Sequence, residues 1–218
     1  MKNIISLLFF CCTIGVHSQK TIYESIHFDE LSKDHKMIAI IPFIATLELD
    51  KEKYDVTEKE LDALEKQEGL AVQEALESYF LKRKEKKKFS VDFQNVQNTN
   101  ALLAKSNITL DNIDIYTTQE LCKILNVDAL VSGNLTISAL ISKGVPEVDF
   151  ISIILGKSDF GRIAIKISDS NSGKLLWKYE KTINRKSGKN TKAIIESMMK
   201  SAARKFPYDR DKQKKNKD

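Results

Sequence analysis

The period of the apolar positions changes several times along this chain, and each change marks an element. Met37-Ile-Ala-Ile-Ile-Pro-Phe43 is a continuous apolar run, the pattern of a strand buried on both faces. Pro42 has no N–H to give to a ladder, so the strand is expected to stop there. Thr57-Glu-Lys-Glu60 has the spacing of a capping box. It opens a helical stripe through Leu61, Leu64, Ala71, Val72, Ala75, Leu76 and Tyr79 that runs into the basic stretch Lys82–Lys88. Gly69 costs this helix about 1 kcal/mol relative to alanine and marks a kink or a close approach to the sheet. Phe89, Val91 and Phe93 alternate with polar residues and predict a second strand.

A short helix is expected near Asn100–Lys105. A second capping box, Thr117-Thr-Gln-Glu120, opens a helix through Leu121, Cys122 and Leu125 that Asn126 can cap. Val127–Val131 and Leu135–Ile137 form a strand around Gly133. Arg162–Ser168 and Lys174–Ile183 flank the turn residues Asp169-Ser-Asn-Ser-Gly173, a strand–turn–strand. Asn190 caps a last helix bearing Ile194, Ile195, Met198, Ala202 and Phe206, and Pro207 stops it. The order β-α-β-α-β-β-β-α predicts a single α/β domain over residues 37–207: a mixed sheet of about five strands packed by three main helices. A polar arm, residues 19–36, precedes it, and a basic disordered tail, residues 208–218, follows. Residues 139–160 fit neither neighbouring period. Their apolar cluster, Ile151, Ile153, Ile154 and Leu155, reads as an added core element or as an exposed contact surface.

The first residues carry a different pattern. Lys2 supplies a positive charge, Ile4–Val16 is an apolar run of about a dozen residues, and Val16-His17-Ser18 suits cleavage before Gln19. Residues 1–18 are therefore expected to be a secretory signal peptide, and the mature chain to be periplasmic or secreted with no transmembrane segment. The run falls short of the roughly 20 residues of a spanning helix. Acylation of Cys11 or Cys12 is the lesser alternative, because Phe10 and Cys11 precede them where a small residue is expected. With both lost, Cys122 has no partner for an intrachain disulfide, and the core alone holds the domain.

Composition refines this picture in two ways. Apolar residues make up 42% of the 218, enough for a sizeable core. The formal net charge of +5 is local: Lys82–Lys88 carries +5 and Tyr208–Asp218 carries +2. Without them and Lys2, the rest of the chain carries −3. Runs of this kind suit a helix C-terminus or an anionic surface. Neither run interleaves aromatic residues, so nucleic acid is not an expected partner.

Candidate chemistry is sparse. The mature histidines, His27 and His35, both lie in the arm before the first strand, so a nucleophile–histidine site would have to recruit that segment. No histidine pair has metal-ligand spacing. Ser172-Gly173-Lys174 lacks the upstream glycine and following hydroxyl of a phosphate loop. No catalytic, metal-binding or cofactor-binding residue is predicted. A hydrolase with a carboxylate pair drawn from distant strands stays open as an alternative.

Three stretches carry a family likeness: Ile38–Phe43 (IAIIPF), Leu125–Gly133 (LNVDALVSG) and Ser168–Trp177 (SDSNSGKLLW). In this order they resemble CsgG-like domains, a pattern shared with LpoB-like envelope proteins and the amino-terminal domain of TolB-like proteins. Glu68–Gln73 and Thr99–Leu103 extend the likeness to secreted and periplasmic proteins of Gram-negative bacteria. The resemblance implies a non-enzymatic binding or adaptor domain of the cell envelope, whose partner is a protein or another envelope component. A self-associating structural component is the alternative. Ile151, Ile153, Ile154, Leu155, Asp169, Asn171 and Gly173 are the expected contact residues. A curli-type channel is not expected, since two membrane strands of about 9–11 residues each barely fit the 139–160 insert.

Overall fold

Proline splits the first strand, and the chain resumes the same ladder beyond it. The computed structural model describes residues 20–48, 56–86, 89–138, 159–184, 189–202 and 206–208. Strand β1 (Lys20–Glu24) and helix α1 (Phe28–Ser32) precede β2 (Met37–Ile40) and β3 (Ile44–Leu47). Helix α2 (Glu58–Glu85) leads to β4 (Asp92–Phe93). Helices α3 (Val96–Lys105) and α4 (Thr118–Leu125), with a 3₁₀ turn at Ile113–Ile115 between them, lead to β5 (Ala129–Ile137). Strands β6 (Asp159–Asp169) and β7 (Leu175–Asn184) and helix α5 (Thr191–Ala202) complete the series. One sheet runs β1-β7-β6-β5-β2-β4, with β3 beside the second half of β5. The pairs β2/β4, β2/β5 and β3/β5 are parallel; those of β5, β6, β7 and β1 are antiparallel.

The single mixed-sheet α/β domain agrees with the sequence pattern, whereas the element count differs. Among the described residues, seven strands and five α-helices stand where about five strands and three main helices are expected. Strand β1 comes from the polar arm. Its five residues, KTIYE, hold one core-packed apolar side chain, Ile22, opposite Tyr179, so β7 rather than its own pattern makes it a strand. The Phe89–Phe93 alternation pairs with β2 at Asp92–Phe93 and forms an isolated bridge at Phe89, while Val91 buries without backbone pairing.

Local signals hold closely. The Glu60 N–H donates to Thr57 Oγ1 at 3.3 Å and Glu60 Oε2 accepts from the Thr57 N–H at 2.9 Å, closing the predicted box; Thr117 and Glu120 repeat it. Asn126 caps α4 with a left-handed φ of 55°. Asn190 Oδ1 accepts from the Ala193 N–H at 3.0 Å.

Burial on both faces explains the unbroken apolar runs. Ile38 and Ile40 of β2 and Ala129 and Val131 of β5 enter a core with α2 and α5; Ala39, Ile41 and Leu130 enter a second core with α3 and α4. Strands β6 and β7 have only one apolar face. Ile163, Ile165, Ile167, Trp177 and Tyr179 point into the first core, while Arg162, Lys178 and Glu180 form ion pairs outside it.

At Pro42 the ladder is interrupted and helix α2 takes over the broken groups. The Ile41 N–H still reaches Val131 O at 3.0 Å, but the Phe43 N–H turns to Gly69 O of the helix at 3.3 Å. Fully buried Gln73 donates from Nε2 to Ile40 O at 2.7 Å and exchanges amide hydrogen bonds with Asn100. A Cβ on Gly69 would sit 2.0 Å from Phe43 O, so this glycine marks a close approach. Gly69→Ala is accordingly expected to cost about 1–3 kcal/mol through overpacking. An unconstrained helix would instead gain about 1 kcal/mol from the same change, so the sign of the shift in the urea midpoint decides between them.

Candidate functional site

The Asp169–Gly173 turn, the residues leading into β2 and the segment after α5 meet at one end of the sheet. Gly173 adopts a φ of 67°, and the turn closes with the Gly173 N–H on Asp169 O at 3.0 Å. Asp169 points inward and is only 1% exposed. Its Oδ2 accepts from the Ser172 N–H at 2.7 Å and the Ser172 hydroxyl at 2.5 Å. Its Oδ1 lies 2.9 Å from His35 Nε2, which donates because a carboxylate can only accept. The other ring nitrogen, Nδ1, is 2.6 Å from the Tyr208 hydroxyl, which donates to it in the neutral ring. A buried chain Ser172–Asp169–His35–Tyr208 thereby links segments separated by 134 and 173 residues.

Asp128, in the second of the family-like stretches, works beside it as a backbone clamp. Its Oδ2 accepts from the N–H groups of Lys36 and Met37, both at 2.8 Å, and its carbonyl accepts from Ser170 at 3.0 Å. Tyr208 packs edge-on against Phe28 and accepts at its carbonyl from the Ser90 N–H at 3.1 Å. Beside these groups lies a cleft of about 410 Å³, lined by Glu30, Lys33, Asp34, His35, Asp128, Asp169, Asn171 and Ser172 among others.

The electrostatics follow from burial and these bonds. Burial alone would push the Asp169 carboxyl up, but hydrogen bonds from Ser172 and His35 outweigh it and hold the group below the usual carboxylate value. Burial raises the Tyr208 phenol, and the negative charges of Asp169 and Asp128 raise it further. The same three causes push the Cys122 thiol up to about 12, and this side chain is 2% exposed. At neutral pH Cys122 is a protonated, inert core residue.

The arrangement is poorly suited to nucleophilic catalysis. Ser172 gives its proton to Asp169 rather than to the imidazole, and both imidazole nitrogens are already engaged. A carboxylate of lowered pKa is a weak base for a serine hydroxyl. What the cluster does is fasten the arm, the turn and the C-terminal segment to one another.

The expected contact residues fare differently from one another. Asp169 is interior, Asn171 is exposed, and Gly173 sits where a Cβ would meet Gln119 Oε1 at 2.6 Å. Ile151, Ile153, Ile154 and Leu155 lie outside the described residues. His35 and Tyr208 were assigned to the arm and the tail by sequence; both are buried here, at 8% and 2% exposure. The one available signal was their neighbourhood, a histidine two residues before a buried strand and an aromatic pair, Phe206 and Tyr208, around Pro207.

No protein-family model matches the chain, and no curated protein is matched either. Several solved structures are similar. Lipoprotein GNA1162 from Neisseria meningitidis is 13% identical over 68% of this chain and 80% of its own, with a TM-score of 0.38. A PelC dodecamer from Paraburkholderia phytofirmans is 9% identical over 84% of this chain and 97% of its own, at 0.33. The LpoB C-terminal domain from Escherichia coli is 6% identical over 72% and 93%, at 0.35. Likenesses at these levels leave function to be argued from the chain's own residues. Among the described residues no helix is long and apolar enough to cross a membrane, and no group of three or more His, Cys, Asp or Glu side chains is placed to hold a metal ion.

Asp169 gives the domain a pH signature. A carboxyl with a lowered folded-state pKa contributes stability above its unfolded value, about 3.9, and loses it as pH falls through the folded value. The gap in urea midpoint between the wild type and Asp169→Asn should therefore be widest near neutrality and narrow below about pH 4. A gap that stays constant down to acid pH would show that the ionised carboxylate contributes nothing. A second measurement addresses Cys122: at pH 8 an aromatic disulfide reagent should leave it unmodified in the folded protein and label it once urea unfolds the chain.

Proposed function

We propose that this chain is a non-enzymatic, exported binding or adaptor domain of the cell envelope, which engages its partner with the end of the sheet that carries the Asp169–Gly173 turn. The observation that carries the reading is the commitment of every reactive-looking group at that end to holding the backbone: Ser172 to Asp169, Asp169 to His35, His35 to Tyr208, and Asp128 to Lys36 and Met37. The sequence resemblance of Ile38–Phe43, Leu125–Gly133 and Ser168–Trp177 to CsgG-like domains supports the envelope setting, and the signal-like first 18 residues support export.

Two exposed isoleucines stand close in sequence to residues that contact the turn or the strand leaving it. Ile26, at 94% exposure, follows Ser25, whose N–H donates to Leu176 O at 2.8 Å. Ile115, at 75%, lies four residues before Gln119, whose Nε2 reaches Asn171 O at 3.5 Å. Large apolar side chains this exposed, on a rigid frame with the polar tip Asn171 between their segments, suit a protein partner better than a small molecule.

Affinity capture from envelope fractions tests the reading. The wild-type chain should retain a specific protein that the double variant Ile26→Asp, Ile115→Asp loses by at least about tenfold, as expected for removal of interface anchors. Equal retention by both proteins, with both folded by circular dichroism, removes this end of the molecule as the docking surface.

A further inference from the structure

An open sheet has to protect the ladder groups that its outer strands leave over, by shortness, charge, proline, a bulge or a covering element. Three strands here have an open side: β4 beside β2, β3 beside β5, and β1 beside β7. Strand β4 is two residues long, too short to template another strand. Strand β3 is guarded by helix α2, whose Glu65 Oε1 accepts from the Leu47 N–H at 2.8 Å. Strand β1 carries neither device. Its five residues, KTIYE, include no proline or glycine, and its register with β7 runs without a bulge from Lys20↔Lys181 to Glu24↔Trp177. Among the described residues no strand lies on its other side.

The ladder with β7 fixes where the backbone groups of β1 point. The Ser25 N–H bonds to Leu176 O at 2.8 Å and continues the register by one pair. Hydrogen-bonded positions alternate along an antiparallel strand, so Thr21 and Tyr23 also turn their N–H and C=O to β7. Ile22, between them, turns both groups outward. Its side chain packs on the core opposite Tyr179, while Thr21 and Tyr23 are exposed on the other face, Tyr23 at 47%.

We propose that the β1 edge pairs antiparallel with β1 of a second copy of this chain, joining the two sheets across a two-fold axis at Ile22. The strand is complementary to its own reverse. With Ile22 opposite Ile22 of the second copy, the register sets Lys20 opposite Glu24 and Thr21 opposite Tyr23, twice each. Opposite charges, and a β-branched residue beside an aromatic one, are favourable cross-strand pairs. Parallel pairing in register sets lysine on lysine and glutamate on glutamate, which disfavours it. At the axis the outward N–H and C=O of Ile22 gain two reciprocal hydrogen bonds. This self-complementarity is what selects a second copy over an unrelated strand. Each chain has one such edge, so the association closes at two. Neither Ile26 nor Ile115 belongs to β1, so the dimer stands or falls separately from the partner reading.

Sedimentation velocity and light scattering of the purified chain test it. A dimer is expected at high protein concentration that dissociates on dilution, because a seam one short strand wide is small. Glu24→Lys sets lysine opposite Lys20 of the second copy and should raise the dissociation constant by about tenfold or more. Lys20→Glu combined with Glu24→Lys puts opposite charges back across the seam and should restore the dimer. Circular dichroism confirms that both variants are folded. Amide hydrogen exchange reads the same seam through the backbone: the Ile22 N–H should be protected in the concentrated dimer and exposed in the dilute monomer, whereas the Tyr23 N–H, held by β7, should be protected in both. A chain that stays monomeric at every concentration overturns the proposal. So does a dimer that Glu24→Lys leaves intact, a double variant that stays monomeric, or an Ile22 amide whose exchange is the same at both concentrations.

Discussion

Strand β5 has to satisfy a ladder on both sides for nine residues, and its parallel neighbour breaks halfway along at Pro42. A buried sheet cannot leave such a break empty, because an unpaired buried carbonyl or N–H costs on the order of 1–3 kcal/mol. Helix α2 fills it with three adjacent groups: Gln73 caps the Ile40 carbonyl, Gly69 O receives the Phe43 N–H, and the missing Gly69 side chain lets the backbones touch. Position and rotation of the longest helix are thereby fixed against the central strands. The core between α2, α5 and the sheet, including Val72, Leu76 and Phe80, is built on that registration.

At the opposite end of β2 the sequence solves a related problem with carboxylates. Strands β2, β5 and β6 begin or end there, and so do the arm and the C-terminal segment. Asp128 and Asp169 collect the N–H groups that the turning backbone leaves over, and His35 joins Asp169 to Tyr208. Paired acids of this kind resemble a site at first sight. Their lone pairs are spent on backbone N–H groups, the Ser172 hydroxyl and the His35 ring, so their role is to hold a rigid tip on which Asn171 is displayed.

Much of this was legible from local chemistry. Both capping boxes, the Asn126 cap and the two-faced apolar strands could be read directly, because each depends on residues a few positions apart. Gly69 was legible as a marker, although only the structure distinguishes close approach from a kink. The clasp was not legible. His35 and Tyr208 are 173 residues apart, and each stands in a polar stretch whose composition resembles solvated chain. Strand β1 escaped for a similar reason: its partner β7, not its own alternation, defines it. Among the expected contact residues, Asp169 drew notice as a turn former, and nothing in a single sequence tells a turn aspartate facing solvent from one facing a buried histidine.

The clasp also has a kinetic meaning. Closing a loop of 173 residues costs entropy that must be met before the contact repays it, so this junction belongs to the last events of folding rather than the first. Until it closes, β1 has its ladder with β7 and Phe206 its packing on Phe80 and Phe89, but nothing joins the arm to Tyr208, whose contacts with Phe28 and His35 form only at the junction. The two ends of the domain are therefore one cooperative unit. Releasing either should loosen the other, much as a buckle frees both ends of a strap.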